Sequence, residues 1–342
     1  MNFELTEEQK SVRDAARDFA QNVLKPGVIA RDNEQRFPVE EMKQLGELGF
    51  MGMMVDPKYG GSGMDTMSYA LAIEEISKID ASASVCLSVN NSLVCWGLEK
   101  YGTEEQKQKY LVDLATGTKI GAFCLSEPEA GSDATSQSTT AIDKGDHYLL
   151  NGTKNWITNG SSASTYLVIA QTNVEAGHKG INAFIIERGM EGFIVGAKED
   201  KLGIRGSDTH TLLFNDVKVP KLARDYSKQR KAFGKEIYKH QAIAFKLADM
   251  ATEIEAARLL VYKSATDKDM GRNYDQSSAM AKLYASKVAM EQTVEAIQIH
   301  GGYGFVKEYH VERLMRDAKI TQIYEGTSEV QKIVISRNLL KD

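Results

Sequence analysis

The sequence predicts an α+β protein built in three parts: an N-terminal α-helical domain over 1–118, a middle β-barrel or sandwich domain over 119–220, and a C-terminal helix bundle over 221–342. Three observations predict it. Apolar residues recur at helical spacing through the first third. Alternating and β-branched runs, punctuated by Gly, Asn and Asp, fill the middle. Long helical stripes return in the last third, the pattern of layered helices around a sheet domain.

The first helix opens at "TEEQKSVRDAARDFAQNVLKP", with Thr6 as a capping residue and acids in the first turn. Leu5, Val12, Ala16, Phe19 and Leu24 share one face, and Pro26 is expected to end the helix. "PVEEMKQLGELGFMG" reads as a second helix, begun by Pro38 and closed by glycine. Helices over 65–78 and 80–101 follow; the second is apolar nearly all round and is expected to be buried. Another capped amphipathic helix covers 103–117. Six strand-like runs come next: "KIGAFCL", "HYLLNGTKNWIT", "STYLVIAQT", "NAFIIE", "GFIVG" and "HTLLFNDVKV". In the last third, Ile243, Leu247, Met250, Ile254, Ala257 and Leu260 form one stripe. "SSAMAKLYASKVAMEQTVEAIQIHGG" is a further long helix, and shorter ones cover 308–318 and 327–339.

Composition excludes several classes of function. The net charge is −5 with both signs interspersed, so no nucleic-acid footprint exists. No apolar run is long enough to span a bilayer. Cys86, Cys95 and Cys124 have no zinc-ligand spacing, and an odd, sparse set fits free thiols in a reducing compartment. The N-terminus lacks a signal peptide, so a cytoplasmic protein is expected. The six histidines are scattered, and no metal site is expected. Dinucleotide, phosphate-loop and serine-hydrolase motifs are absent.

Five stretches stand out. "CLSEPEAGSDATS" follows an apolar strand and offers hydroxyls and backbone N–H groups that suit an anionic or hydrogen-bond-rich ligand edge, or form an ordinary acidic turn. In "NWITNG", Trp156 and Thr158 alternate on one strand face, where they could meet an aromatic ring; a buried core Trp is the competing reading. Arg230 in "YSKQRKAFG" could clamp a phosphate or finish a basic helix end. The glycines of "QIHGGYGF" permit close approach to a ligand or a helix cap. Glu325 in "QIYEGTSEVQ" reads, by pattern alone, as a solvated acid at a helix N-terminus.

Together these stretches resemble the acyl-CoA dehydrogenase family. "CLSEPEAGSD" and "QIHGGYGFVKEYHVERLMRD" look like its two signatures in the right order, and "NWITNG", "YSKQRKAFG" and "IYEGTSEVQ" match as well. The resemblance covers essentially the whole chain. It implies FAD as cofactor, with Phe123, Cys124, Leu125 and Ser126 along the flavin ring, Trp156 and Ile157 beside it, and Thr158 near the flavin N5. Gly131 and Ser132 belong to the loop that meets both FAD and the pantetheine of the substrate. Arg230, Phe233, Gln241, Gln298, Ile299, Gly301 and Gly302 would hold FAD of a neighbouring subunit, and Thr327 and Glu329 would hold it from the other side. Glu325 then matches the catalytic base, flanked by Tyr324 and Gly326 at the substrate. Loss of water on substrate binding would strengthen that base. An acyl-CoA substrate, an electron-transfer flavoprotein as acceptor, a homodimer or homotetramer, and a short-chain, butyryl-type preference are expected on the same ground. A related oxidase and a non-catalytic family member compete; the presence of Glu325, Trp156, Thr158 and Arg230 argues against the second.

The chain departs from the family at one place. "FNDVKVPK" runs directly into "LARDYSKQRKAFG" at Lys221–Leu222, where members carry a loop and a further long helix that walls the acyl pocket. Either the segment is deleted, or the molecule holds it and the 342-residue sequence omits it; the clean join favours the second. An intact mass clearly above 37.8 kDa is then expected, and a mass at that value makes the deletion real.

Overall fold

The computed structural model describes residues 5–174, 176, 180–220, 241–300, 305–307 and 310–340, with backbone alone at 220, 241–248, 299, 300 and 310. Its order is helices, a seven-stranded sheet, then helices.

The N-terminal part contains α1 (Glu7–Phe19), α2 (Val28–Glu34), α3 (Val39–Glu47), α4 (Thr66–Ser77), α5 (Ala81–Ser88), α6 (Trp96–Tyr101), α7 (Glu104–Gln106) and α8 (Val112–Ala115). Thr6 and Gln9 form a reciprocal cap at the start of α1, satisfying two orphan N–H groups. Pro26 does not end the helical path. A π-helical stretch (Ala20–Leu24) and a tight turn (Lys25–Gly27) carry it into α2, because Pro26 falls in the first turn of that segment, where no N–H is needed. The run from 81 to 101 is helical throughout and buried over most of its length, with a π-helical middle at Val89–Cys95. Its two buried asparagines tie it to other segments: the Asn90 amide donates to Met51 O and Leu114 O, and the Asn91 amide to Phe50 O and, within the run, to Leu87 O.

The sheet comprises β1 (Gly121–Cys124), β2 (Thr140–Asp143), β3 (His147–Thr158), β4 (Thr165–Gln171), β5 (Ile181–Glu187), β6 (Phe193–Lys198) and β7 (Thr209–Pro220). Its order is β1-β4-β2-β3-β7-β6, with β5 on the other edge of β4. All the predicted strand runs form strands; β2, four residues of mixed polarity, was not foreseen. β3 and β7 pair over their length but slip register between Lys154 and Ile157, a bulge at the end that faces the candidate site.

The C-terminal part holds α9 (Gln241–Asp269), α10 (Asp275–His300), α11 (His310–Ile320) and α12 (Ser328–Leu339). Met250, Ile254 and Ala257 of the predicted stripe pack on Ala285 and Val288 of α10. The junction at Lys221–Leu222 lies outside the described residues.

Two sets of contacts are prominent among those that fix this bundle to the rest. Asp269 accepts the N–H groups of Thr66 and Met67, completing the start of α4. On α11, Asp317 accepts from Arg313 at 2.7 Å and from the Ile204 N–H at 2.6 Å, while Arg316 donates to Asp32 at 2.9 Å and to Leu202 O at 2.7 Å. The α11 backbone lies directly on Gly203: a Cβ there would sit 2.4 Å from the carbonyl of Arg316. Gly203→Ala is therefore expected to cost about 1–3 kcal/mol through forced displacement of α11. A lower thermal midpoint reads this, and an unchanged midpoint would show that the contact yields freely.

Candidate active site

The loop after β1 is held from beneath by one lysine. Lys154 of β3 is fully buried and donates to Leu125 O at 2.9 Å, to Glu127 at 2.6 Å and to Gln137 at 3.2 Å. Glu127 in turn accepts from Ser138 N at 2.6 Å and Thr139 N at 3.1 Å. Burial alone would raise the Glu127 carboxyl; the hydrogen bonds from Lys154, Thr139 and Ser138 outweigh it and hold the group at about 2. Burial also lowers the Lys154 ammonium, against the pull of Glu127.

Two residues after Lys154 the chain bulges at Trp156. Its φ is 59°, a left-handed conformation rare for a bulky residue, and its ring is 54% exposed, so it is not a core tryptophan. Ile157 turns inward to 2% exposure in the sheet core, and Thr158 is half-buried. Cys124 is likewise buried in that core, and burial pushes its thiol up. Cys124 and Ile157 thus present backbone, not side chains, to this surface. Ser126 is half-buried, Gly131 and Ser132 are exposed on the loop, and nothing lies within 4 Å of a Cβ placed on Gly131. The buried Oδ1 of Asn155 has no partner among the described residues.

The second half of the site is the loop between α11 and α12. Tyr324 packs against the N-terminal core. Glu325 and Gly326 follow with φ of 51° and 88°, and Thr327 caps α12 by accepting from Val330 N. Glu325 is exposed and opens on a cavity of about 390 Å³. Phe123 and Leu125, Ile254 and Val261 of α9, and Gly326 line that cavity. Glu74 of α4 and Arg258 of α9 pair across it at 2.8 Å.

Lys282 of α10 lines the same cavity and was not singled out from sequence. It is 9% exposed, and its Nζ donates to Gly326 O at 2.6 Å. Burial brings its ammonium down to about 8, against the upward pull of Glu325 and Glu329. The signal available in sequence was a lysine within the Ala- and Ser-rich run "SSAMAKLYAS".

The structure thus brings together Phe123, Leu125, Glu325 and Gly326. Thr327 and Glu329 instead line a separate groove on the opposite face of α12. Gln298 is exposed near the end of α10. Gln241 and Ile299 are described as backbone only, and Arg230, Phe233, Gly301 and Gly302 lie outside the described residues.

Family models described as acyl-CoA dehydrogenase N-terminal, middle and C-terminal domains match residues 6–118, 122–217 and 218–340. The chain belongs to the acyl-CoA dehydrogenase family. A short-chain specific acyl-CoA dehydrogenase of Clostridium acetobutylicum is 46% identical over 379 aligned positions, covering 100% of both proteins. That is 37 more positions than the 342 residues of this chain. Among solved structures, butyryl-CoA dehydrogenase from Megasphaera elsdenii superimposes with a TM-score of 0.94 at 45% identity over 100% of both chains. A chain from a structure described as an electron transferring flavoprotein of Acidaminococcus fermentans gives 0.95 at 47% identity, again over 100% of both.

Replacing Lys154 with Met would strand the buried Glu127 carboxylate. A loss of about 3–5 kcal/mol is expected, read as a lowered thermal midpoint at neutral pH. The deficit should shrink as pH falls toward 2, where wild-type Glu127 also takes up its proton. A variant as stable as wild type at neutral pH would remove the pair from the account of this loop.

Proposed function

We propose that this chain is a FAD-dependent acyl-CoA dehydrogenase that converts a short-chain acyl thioester to its trans-2-enoyl product, with Glu325 as the base. The observation that carries the reading is Glu325 itself: a carboxylate on a left-handed backbone, facing a cavity with apolar walls. Left-handed non-glycine residues persist only where surroundings enforce them, and they concentrate at functional sites.

The residues of the β1 and β3 ends fit a flavin. Trp156 offers an exposed surface, Leu125 and Phe123 an apolar wall, and Thr158 follows two residues on as a half-buried hydroxyl. The open space over Gly131 and the exposed Ser132 hydroxyl leave room for a phosphate-bearing chain. Bound FAD would supply the two-electron acceptor for the hydride leaving the substrate Cβ. The chain's own part is proton chemistry and orientation. A Glu325 carboxylate oxygen takes the α-proton, and the Glu325 N–H is assigned to the thioester carbonyl, whose oxygen gains charge as the proton leaves. Tyr324 and the Thr327 cap fix the two ends of the loop, so the carboxylate meets the substrate in one orientation. After product leaves, the proton returns to solvent from the exposed carboxyl.

A neighbouring copy would contribute Arg230 and Phe233 to the cofactor, making a dimer or tetramer the working unit. An electron-transfer flavoprotein is the proposed acceptor, supported by the Acidaminococcus fermentans likeness.

Anaerobic addition of butyryl-CoA should bleach the flavin absorbance of the purified holoenzyme. Glu325→Gln should slow that bleaching about 10²–10⁴-fold with FAD content unchanged. Bleaching by longer acyl thioesters alone would overturn the short-chain preference, and wild-type rates in Glu325→Gln would overturn the base assignment.

A further inference from the structure

We propose that Lys282 is a positioning residue for the base: its ammonium holds the Glu325–Gly326 turn and keeps the Glu325 carboxylate ionised once substrate has displaced water. The inference rests on the reading of Glu325 as base.

The geometry begins with two consecutive left-handed residues, Glu325 and Gly326. Such a turn sets where the Glu325 side chain points, and for a non-glycine residue it persists only where the surroundings hold it. Two side chains from different helices hold it. Lys282 of α10 donates to Gly326 O at 2.6 Å, and Gln331 of α12 donates to Glu325 O at 3.2 Å and Gly326 O at 3.1 Å. A charged donor makes the stronger of such bonds.

Charge is the second part. Glu325 is exposed, so water reaches its side chain. An acyl chain filling the apolar cavity removes that water and disfavours the charged form. Among the described residues, the charged groups facing this space are Glu74 of α4, Arg258 and Lys268 of α9, Asp275 and Lys282 of α10, and Glu325. Glu329 of α12 also faces Lys282, with Lys332 beside it. Arg258 is committed to Glu74 through two hydrogen bonds, at 2.8 and 3.0 Å. Lys268 stands at the end of α9 beside Asp269, which holds the start of α4, whereas Lys282 bonds the turn itself. Among the described cations, Lys282 is therefore the one whose bond partner adjoins the base. An ordinary structural lysine would be satisfied by an acid, as Lys154 is; Lys282 is fixed instead to a carbonyl, leaving its charge directed at the loop.

The test is the pH dependence of flavin reduction by butyryl-CoA in single turnovers of holoenzyme, for wild type, Lys282→Met, Lys282→Gln and Lys282→Arg, with Glu325→Gln run beside them. In Lys282→Met the acid limb should move up by about one pH unit, with the rate recovering at higher pH. Lys282→Gln, which keeps a donor for Gly326 O without charge, should show the same shift, and Lys282→Arg should restore the wild-type limb. FAD content and thermal midpoint control for folding. Should the methionine variant lose its flavin, the Gln and Arg pair decides alone. An unmoved acid limb in the uncharged variants, with Glu325→Gln inactive, overturns the role of Lys282 only. Active Glu325→Gln overturns the base reading and this inference with it. Loss of fold in all three lysine variants makes Lys282 purely structural and overturns the proposal.

Discussion

A single buried ammonium organises the half of the site built by the sheet. Lys154 is fully enclosed and joins the carbonyl that follows β1, the carboxylate of Glu127 and the amide of Gln137. Glu127 extends the reach by accepting backbone N–H groups at Ser138 and Thr139. An unpaired charge in that position would cost several kcal/mol, so alternative courses of the loop are excluded. The order therefore runs from one side chain to three segments: the end of β1, the 127–139 loop and the bulge in β3. Leu125 on the cavity wall and Trp156 at the bulge are placed by the same contact.

The other half depends on α11. Its ion pairs and hydrogen bonds reach Asp32 in the N-terminal helices and Leu202 and Ile204 at the sheet, and Gly203 lets its backbone lie flat against that segment. The loop carrying Glu325 leaves this anchored helix and ends at the cap of α12. Cavity walls come from α4, the β1 end, α9, α10 and α12. The site is thus a product of how the three parts meet, and no part contains it alone.

Much of the fold is legible in the sequence because it rests on local rules. The Thr6–Gln9 cap, the apolar helix from 81 and the strand at 147–158 follow from spacing and residue type. Pro26 misleads because its effect depends on where it falls in a helical turn, which tertiary packing decides. β2 is missed since its four residues are held by pairing with β3, not by any pattern of their own. Chemistry is less legible. Simple alternation puts Trp156 and Thr158 on one face, but a bulge and a left-handed backbone, invisible in the pattern, re-aim the Trp. Glu325 looks like any helix-leading acid, and only the resemblance of whole motifs distinguishes it. Lys282 sits in a helix of small residues whose buried face is known only once α12 is laid against it.

The two lysines show how one residue type serves opposite ends. Each lies beside a left-handed, non-glycine residue: Lys154 two positions before Trp156, Lys282 against the carbonyl next to Glu325. Both help to over-determine a backbone that would otherwise relax. They differ in compensation. Lys154 has a carboxylate at 2.6 Å, so its charge is spent on holding the loop. Lys282 has a carbonyl at 2.6 Å, with Glu325 and Glu329 acting through space, and burial brings its ammonium down to about 8 against their pull. A lysine held for structure alone gains most from a buried carboxylate. One left short of that partner keeps a field that neighbouring acids feel, and here the neighbouring acid is the proposed base.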